Sequence, residues 1–85
     1  MYSKGMLSRY IEAAMRLAQY EILQDGEGFF GSIPPLRGVW ASEHTLEACR
    51  MELISALEDW LLFSISRQEP VPVLDGIDLT VRQVA

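Results

Sequence analysis

One cysteine, one histidine and seven basic residues leave this 85-residue chain little chemistry to work with. Cys49 has no second thiol to pair with, so an internal disulfide is excluded, which suits a reducing compartment. His44 alone cannot build a histidine-based metal cluster. Lys4, Arg9, Arg16, Arg37, Arg50, Arg67 and Arg82 are scattered along the chain against twelve acids, for a net charge of −5 and a pI near 4.6. Nucleic-acid binders concentrate their cations, because phosphate contacts dominate that affinity. This balance argues against a nucleic-acid partner and suits a basic protein. No apolar run approaches the roughly 20 residues that span a bilayer, the longest burst being Trp60 to Phe63. Lys4 and Gly5 lead into a charged amphipathic stretch, not the apolar core of a signal peptide. The expectation is a soluble, cytoplasmic protein with no membrane partner. Repeats and low-complexity tracts are absent as well.

What the chain does have is apolar surface. Hydrophobic residues make up 49% of it, too many for disorder. The length gives a single domain over 1–85. A domain this small buries only about 60–65% of the surface its unfolded chain exposes, and oligomerisation is a common remedy.

Residues 5–18 have helical period. Leu7, Ile11, Ala14 and Ala18 form one stripe, with Tyr10, Met15 and Leu17 beside it. The Glu12–Arg16 pair supports a helix through its i, i+4 spacing. "QYEILQ", 19–24, shifts to a strand pattern. Asp25 to Gly28 supplies turn chemistry, because glycine reaches positive φ at no steric cost. "FFGSI", 29–33, reads as the second strand of a hairpin. Pro34 and Pro35 end it, since proline donates no ladder hydrogen bond. Gly38 then turns the chain into a third strand, "VWAS", 39–42. A long helix is expected over 45–66, with Thr45 as its N-cap and Glu47 in the first turn, where the helix dipole favours an acid. Pro70 and Pro72 prevent its continuation. "IDLTVRQV", 77–84, alternates like a half-buried strand. The element order is α-β-β-β-α-β, an α+β fold with an N-terminal helix over 1–18 and a core over 19–84.

Both layers carry more apolar residues than one contact needs. On the long helix, Leu46, Cys49, Leu53, Leu57, Trp60 and Ser64 follow one face, with Ala56 and Leu61 near it. Met51, Ile54, Leu62 and Ile65 fall on another side, to be covered by the first helix or by a second molecule. Glu52, Glu58 and Asp59 mark the solvated face. In the strands, Tyr20, Ile22, Phe29, Gly31, Ile33, Val39 and Ala41 share one face, leaving Leu23, Phe30 and Trp40 on the other. Only one sheet face can take the long helix. The other calls for the first helix, a second copy or a partner.

Candidate catalytic and cofactor groups are sparse. Cys49 sits on an apolar helix side and reads as a buried structural thiol. Glu58 and Asp59 are adjacent and cannot share a helix face. Asp25, Glu27, Asp75 and Asp78 lie in turns. The glycines of 26–31 do not open a helix, so they form no phosphate loop. No carboxylate set for a metal converges, and no cofactor is expected.

The stretch 20–61 resembles the HicB-like antitoxin family. The resemblance rests on an aromatic-led strand (Tyr20), an acid-and-glycine turn (Asp25, Gly28), and an aromatic strand from Phe29 ending in Ile33 and Pro34. It continues through a short loop from Leu36 to Gly38, a third strand, and Thr45, Leu46 and Ala48 opening a long helix. "PVPVLDG" is similar to the family's proline-bearing link into its last strand. The resemblance implies a three-stranded antiparallel meander, a packed helix and a final strand in a partial ribonuclease-H-like arrangement. It also implies homo-oligomers, dimer or tetramer, and a small basic HicA-like toxin that cleaves messenger RNA as the protein to be neutralised. Many family members add a C-terminal DNA-binding module. Here the sequence ends at 85, an N-terminal helix precedes the first strand, as in a short subgroup, and His44 stands where an acid or small polar residue is common. The ribonuclease-H likeness implies no activity, since that catalysis needs several carboxylates around metal ions and the first strand offers Glu21 and Asp25. The expected function is a non-catalytic interaction module. Its contact surface is expected at Leu23, Phe30 and Trp40, or at Met51, Ile54, Leu62 and Ile65. The alternative is a stand-alone oligomeric scaffold or regulator of the same fold.

Overall fold

Helix α1 (Gly5–Arg16) opens the part of the chain, residues 5–79, that the computed structural model describes. It buries Tyr10, Ala13 and Ala14. The expected stripe is therefore rotated: Ala14 is inside, but Leu7 is 48% exposed. Two alanines bring the α1 backbone close to its neighbours, and Tyr10 fills the remaining space with a ring whose hydroxyl donates to the Pro72 carbonyl oxygen at 2.6 Å. The helix ends in a tight turn in which the Leu17 and Ala18 amides bond the carbonyls of Ala14 and Met15.

Three antiparallel strands follow, β1 (Gln19–Leu23), β2 (Gly28–Ser32) and β3 (Trp40–Glu43), in the order β1-β2-β3. Asp25 and Gly26 both have positive φ in the β1–β2 turn, which aspartate and glycine tolerate best. Gly28 is required on two counts. Its φ is +106°, and a Cβ there would collide with the Glu43 carbonyl of β3. After Ser32 the chain leaves the sheet one residue earlier than expected. "IPPLRGV" instead forms consecutive turns, with the Leu36 amide bonding Ile33 and the Val39 amide bonding Leu36. Ile33, Leu36 and Val39 enter the core together. Gly38 takes a φ of +93° just before β3.

Helix α2 (Leu46–Ser66) is capped as expected: the Thr45 hydroxyl oxygen accepts the Ala48 amide at 3.0 Å. It packs on β2 and β3 through Cys49, Leu53, Leu57, Leu61 and Ser64. Leu46, expected on this face, is 47% exposed. Its direction on the helix is right, but its position is not. A 21-residue helix is about 31 Å long, whereas these strands span roughly 17 Å, so the sheet cannot cover every residue of that helix face. The helix closes with a left-handed residue, Gln68 (φ 56°). The Glu69 amide bonds the Ser64 carbonyl and the Gln68 amide bonds the Ile65 carbonyl, a Schellman motif with glutamine where glycine is usual.

Val71, Leu74 and Ile77 then return to the core. Leu74 and Ile77 exchange both backbone hydrogen bonds around Asp75 and Gly76, both at positive φ. Arg16 reaches across from α1 to Asp75 at 3.1 Å. Most of the strand expected over 77–84 lies outside the described residues. Within them the chain after α2 forms only the Leu74–Ile77 bridge.

Candidate protein-interaction surfaces

Strand alternation divides the sheet's side chains as the sequence pattern predicts. Tyr20, Gly31 and Ala41 lie in register across the three strands on the α2 side. Gly31 leaves room there: a Cβ would stand 3.0 Å from the Tyr20 ring and 3.2 Å from the Cys49 sulfur. The Cys49 thiol donates to the Ala41 carbonyl at 3.6 Å, and burial pushes its pKa up. Cys49 is thus a packed structural thiol. Burial likewise raises Tyr20, with the nearby Arg50 acting in the opposite direction.

Not all of that face is covered. Ile22, placed on the inner face by pattern, is 80% exposed. The reason is lateral: α2 rests on β2 and β3, and β1 is the edge strand farther from it. Tyr20, Ile22 and Leu46 are all left open. Among the described residues, the outer edge of β1 has no strand partner.

The opposite sheet face carries Leu23, Phe30 and Trp40. Phe30 and Trp40 are diagonal neighbours across β2 and β3, and their rings stack with centroids 5.9 Å apart and an interplanar angle of 22°. Leu23 and Phe30 are half-buried, whereas Trp40 is 57% exposed. Helix α1 packs on α2, and among the described residues this sheet face keeps Trp40 open.

The second expected set, Met51, Ile54, Leu62 and Ile65, is divided by the structure. Ile54 and Ile65 are half-buried beside α1, whereas Met51 and Leu62 are exposed. The two helices run antiparallel, with a groove between them. At one end a hollow of about 260 Å³ is lined by Leu7, Ile11, Glu58, Leu61, Leu62 and Ile65. At the other, Ile11, Glu12, Met15 and Ile54 line a hollow closed by Arg16 and Arg50. Leu7, expected inside, instead forms the wall of this groove. Met6 and Phe63 are open apolar residues that the pattern does not single out. The available signal is the unbroken apolar run Trp60 to Phe63, which puts large apolar side chains on more than one side of α2.

Among the described residues, no three histidine, cysteine, aspartate or glutamate side chains are grouped to hold a metal ion. No described helix is long and apolar enough to cross a membrane. Asp25, Gly28, Pro34, Gly38 and Thr45 serve the turns and the helix start.

The chain belongs to the UPF0150-like family, whose model matches residues 9–72. This is a small family related to the HicB-like antitoxins. The chain is also similar to the protein TTHA0281 of Thermus thermophilus, whose crystal structure superposes with a TM-score of 0.86 at 44% identity, over 95% of this chain and 100% of that one. That likeness agrees with the α+β architecture of two helices and a three-stranded antiparallel sheet. No curated protein matches the chain.

Proposed function

We propose that this protein is a non-catalytic interaction module of the HicB antitoxin type. It assembles with its own copies in the cytoplasm and neutralises a small basic toxin that cleaves messenger RNA. The observation that carries the reading is an acidic chain with apolar surfaces left open on both of its layers: Phe30 and Trp40 on the sheet, and Leu7 and Leu62 on the helices. Open aromatic and aliphatic patches of this kind are typical of protein contacts. The acidic balance favours a basic partner through complementary charge and faster encounter. The family's relation to HicB-like antitoxins adds support.

The open edge of β1 favours a second reading, a stand-alone oligomeric scaffold or regulator. An edge strand with exposed Tyr20 and Ile22, no proline and no lysine is a natural site for pairing with another strand. Purification of the tagged protein from its native host at physiological salt, with mass spectrometry of what accompanies it, separates the two. A stoichiometric small basic protein, whose RNA cleavage this chain then suppresses, supports the antitoxin. Self-association without such a companion supports the scaffold.

A further inference from the structure

We propose that the groove between α1 and α2 is the docking site for a basic amphipathic helix of the protein partner, an inference that rests on the interaction-module reading above. The hollow walled by Leu7, Ile11, Leu61, Leu62 and Ile65 has room, at about 260 Å³, for one or two aliphatic side chains. A trough between two antiparallel helices receives a third helix through its apolar stripe.

Charge selects the occupant. Glu58 is the polar wall of this hollow. Between Met51 and Arg67, α2 carries Glu52, Glu58 and Asp59 and no base. Arg67, the cation that follows the helix, is engaged by Glu69 at 3.3 Å and lies over the Phe63 ring at 5.0 Å. A second copy docking here through this stretch of α2 would set three more acids beside the three already present, and like charges across a contact oppose association. A cationic helix meets no such penalty. Arg50 and the Asp75-bound Arg16 border the far hollow, so the cationic part of the ligand lies over the Glu58 end.

The test uses the full chain and two synthetic 18-residue helical peptides, one with a leucine face and lysines elsewhere, the other with glutamates in place of the lysines. Amide chemical shifts locate binding and titration gives affinity. The lysine peptide is expected to bind saturably and to shift the signals of Leu7, Ile11, Leu61, Leu62 and Ile65, leaving Phe30 and Trp40 unmoved. Leu62→Ala weakens it about tenfold, the order expected for losing a buried leucine contact. Glu58→Gln weakens it about threefold, in the range of a partly exposed ion pair. Absence of binding, equal binding of the glutamate peptide, or shifts centred on Trp40 would overturn the proposal. So would a lower native mass of the Leu62→Ala protein, which would make the groove a contact between copies. The outcome is separate from the toxin question. Peptide binding in a protein that copurifies with no basic companion removes the antitoxin and keeps the groove. Toxin neutralisation undisturbed by Leu62→Ala, in a chain that ignores the peptide, does the reverse.

Discussion

Tyr10 in the first helix and Pro72 in the last segment are tied by a 2.6 Å hydrogen bond that spans 62 residues of sequence. The bond fixes α1 against the chain returning from α2. Arg16 and Asp75 add a second link between the same two segments, but both groups are more than half exposed and contribute little. Tyr10→Phe keeps the buried ring and removes the donor. It is expected to cost about 1 kcal/mol, read from the urea midpoint, whereas Arg16→Ala leaves that midpoint nearly unchanged.

Tyr10 also gives the protein an alkaline limit. Burial lifts its pKa from 10.0 to about 12. The unfolded chain therefore gives up this proton at lower pH than the folded one. The stabilisation is complete below pH 10 and disappears as pH rises through about 12. Tyrosinate absorbance is expected to show a late step that coincides with unfolding, and Tyr10→Phe removes that step.

Cys49 is fully buried and its thiol titrates above its ordinary range. Both conditions suppress thiolate reactivity. Iodoacetamide is expected to leave the native protein unmodified and to label it on unfolding in urea. Rapid labelling of the native state would refute the packing described for this residue.

Gly28 and Gln68 are opposite cases of positive-φ backbone. At Gly28 the chain needs both the dihedral and the missing Cβ, so Gly28→Ala is expected to cost about 2–3 kcal/mol. At Gln68 the left-handed position holds a residue with a side chain that is strained there. Gln68→Gly is expected to raise stability by up to about 1 kcal/mol. Thermal melts of the two variants should move in opposite directions.

Trp40 is more than half exposed while stacked on Phe30. Trp40→Glu is expected to preserve the circular dichroism of the helices and to lower the mass of any assembly built through this face. Loss of helical signal instead would assign Trp40 to the monomer core.

How much of this is legible in the sequence depends on the range of the interaction. Thr45 announces a helix start because capping involves residues only three apart. Pro34, Gly38 and the Asp25–Gly28 turn are read equally directly, since φ preferences belong to single residues. Strand alternation places Phe30 and Trp40 on one face and Gly31 and Ala41 on the other, and the structure agrees. Lateral coverage is not legible. Ile22 and Leu46 have the right direction for the core, yet they stand beyond the area that α2 and the sheet share. Leu7 and Tyr10 are both apolar residues of α1, and only the placement of α2 and of Pro72 decides that Tyr10 is buried and Leu7 open. Ile33, Leu36 and Val39, three apart in a proline-rich loop, become core only because the loop folds back under α2. The helices and strands, their caps and turns, and the acidic balance follow from local backbone preference and composition, and so they are written in the chain itself. Which apolar residues remain in water is settled only in three dimensions, because burial depends on where a finite helix ends over a small sheet.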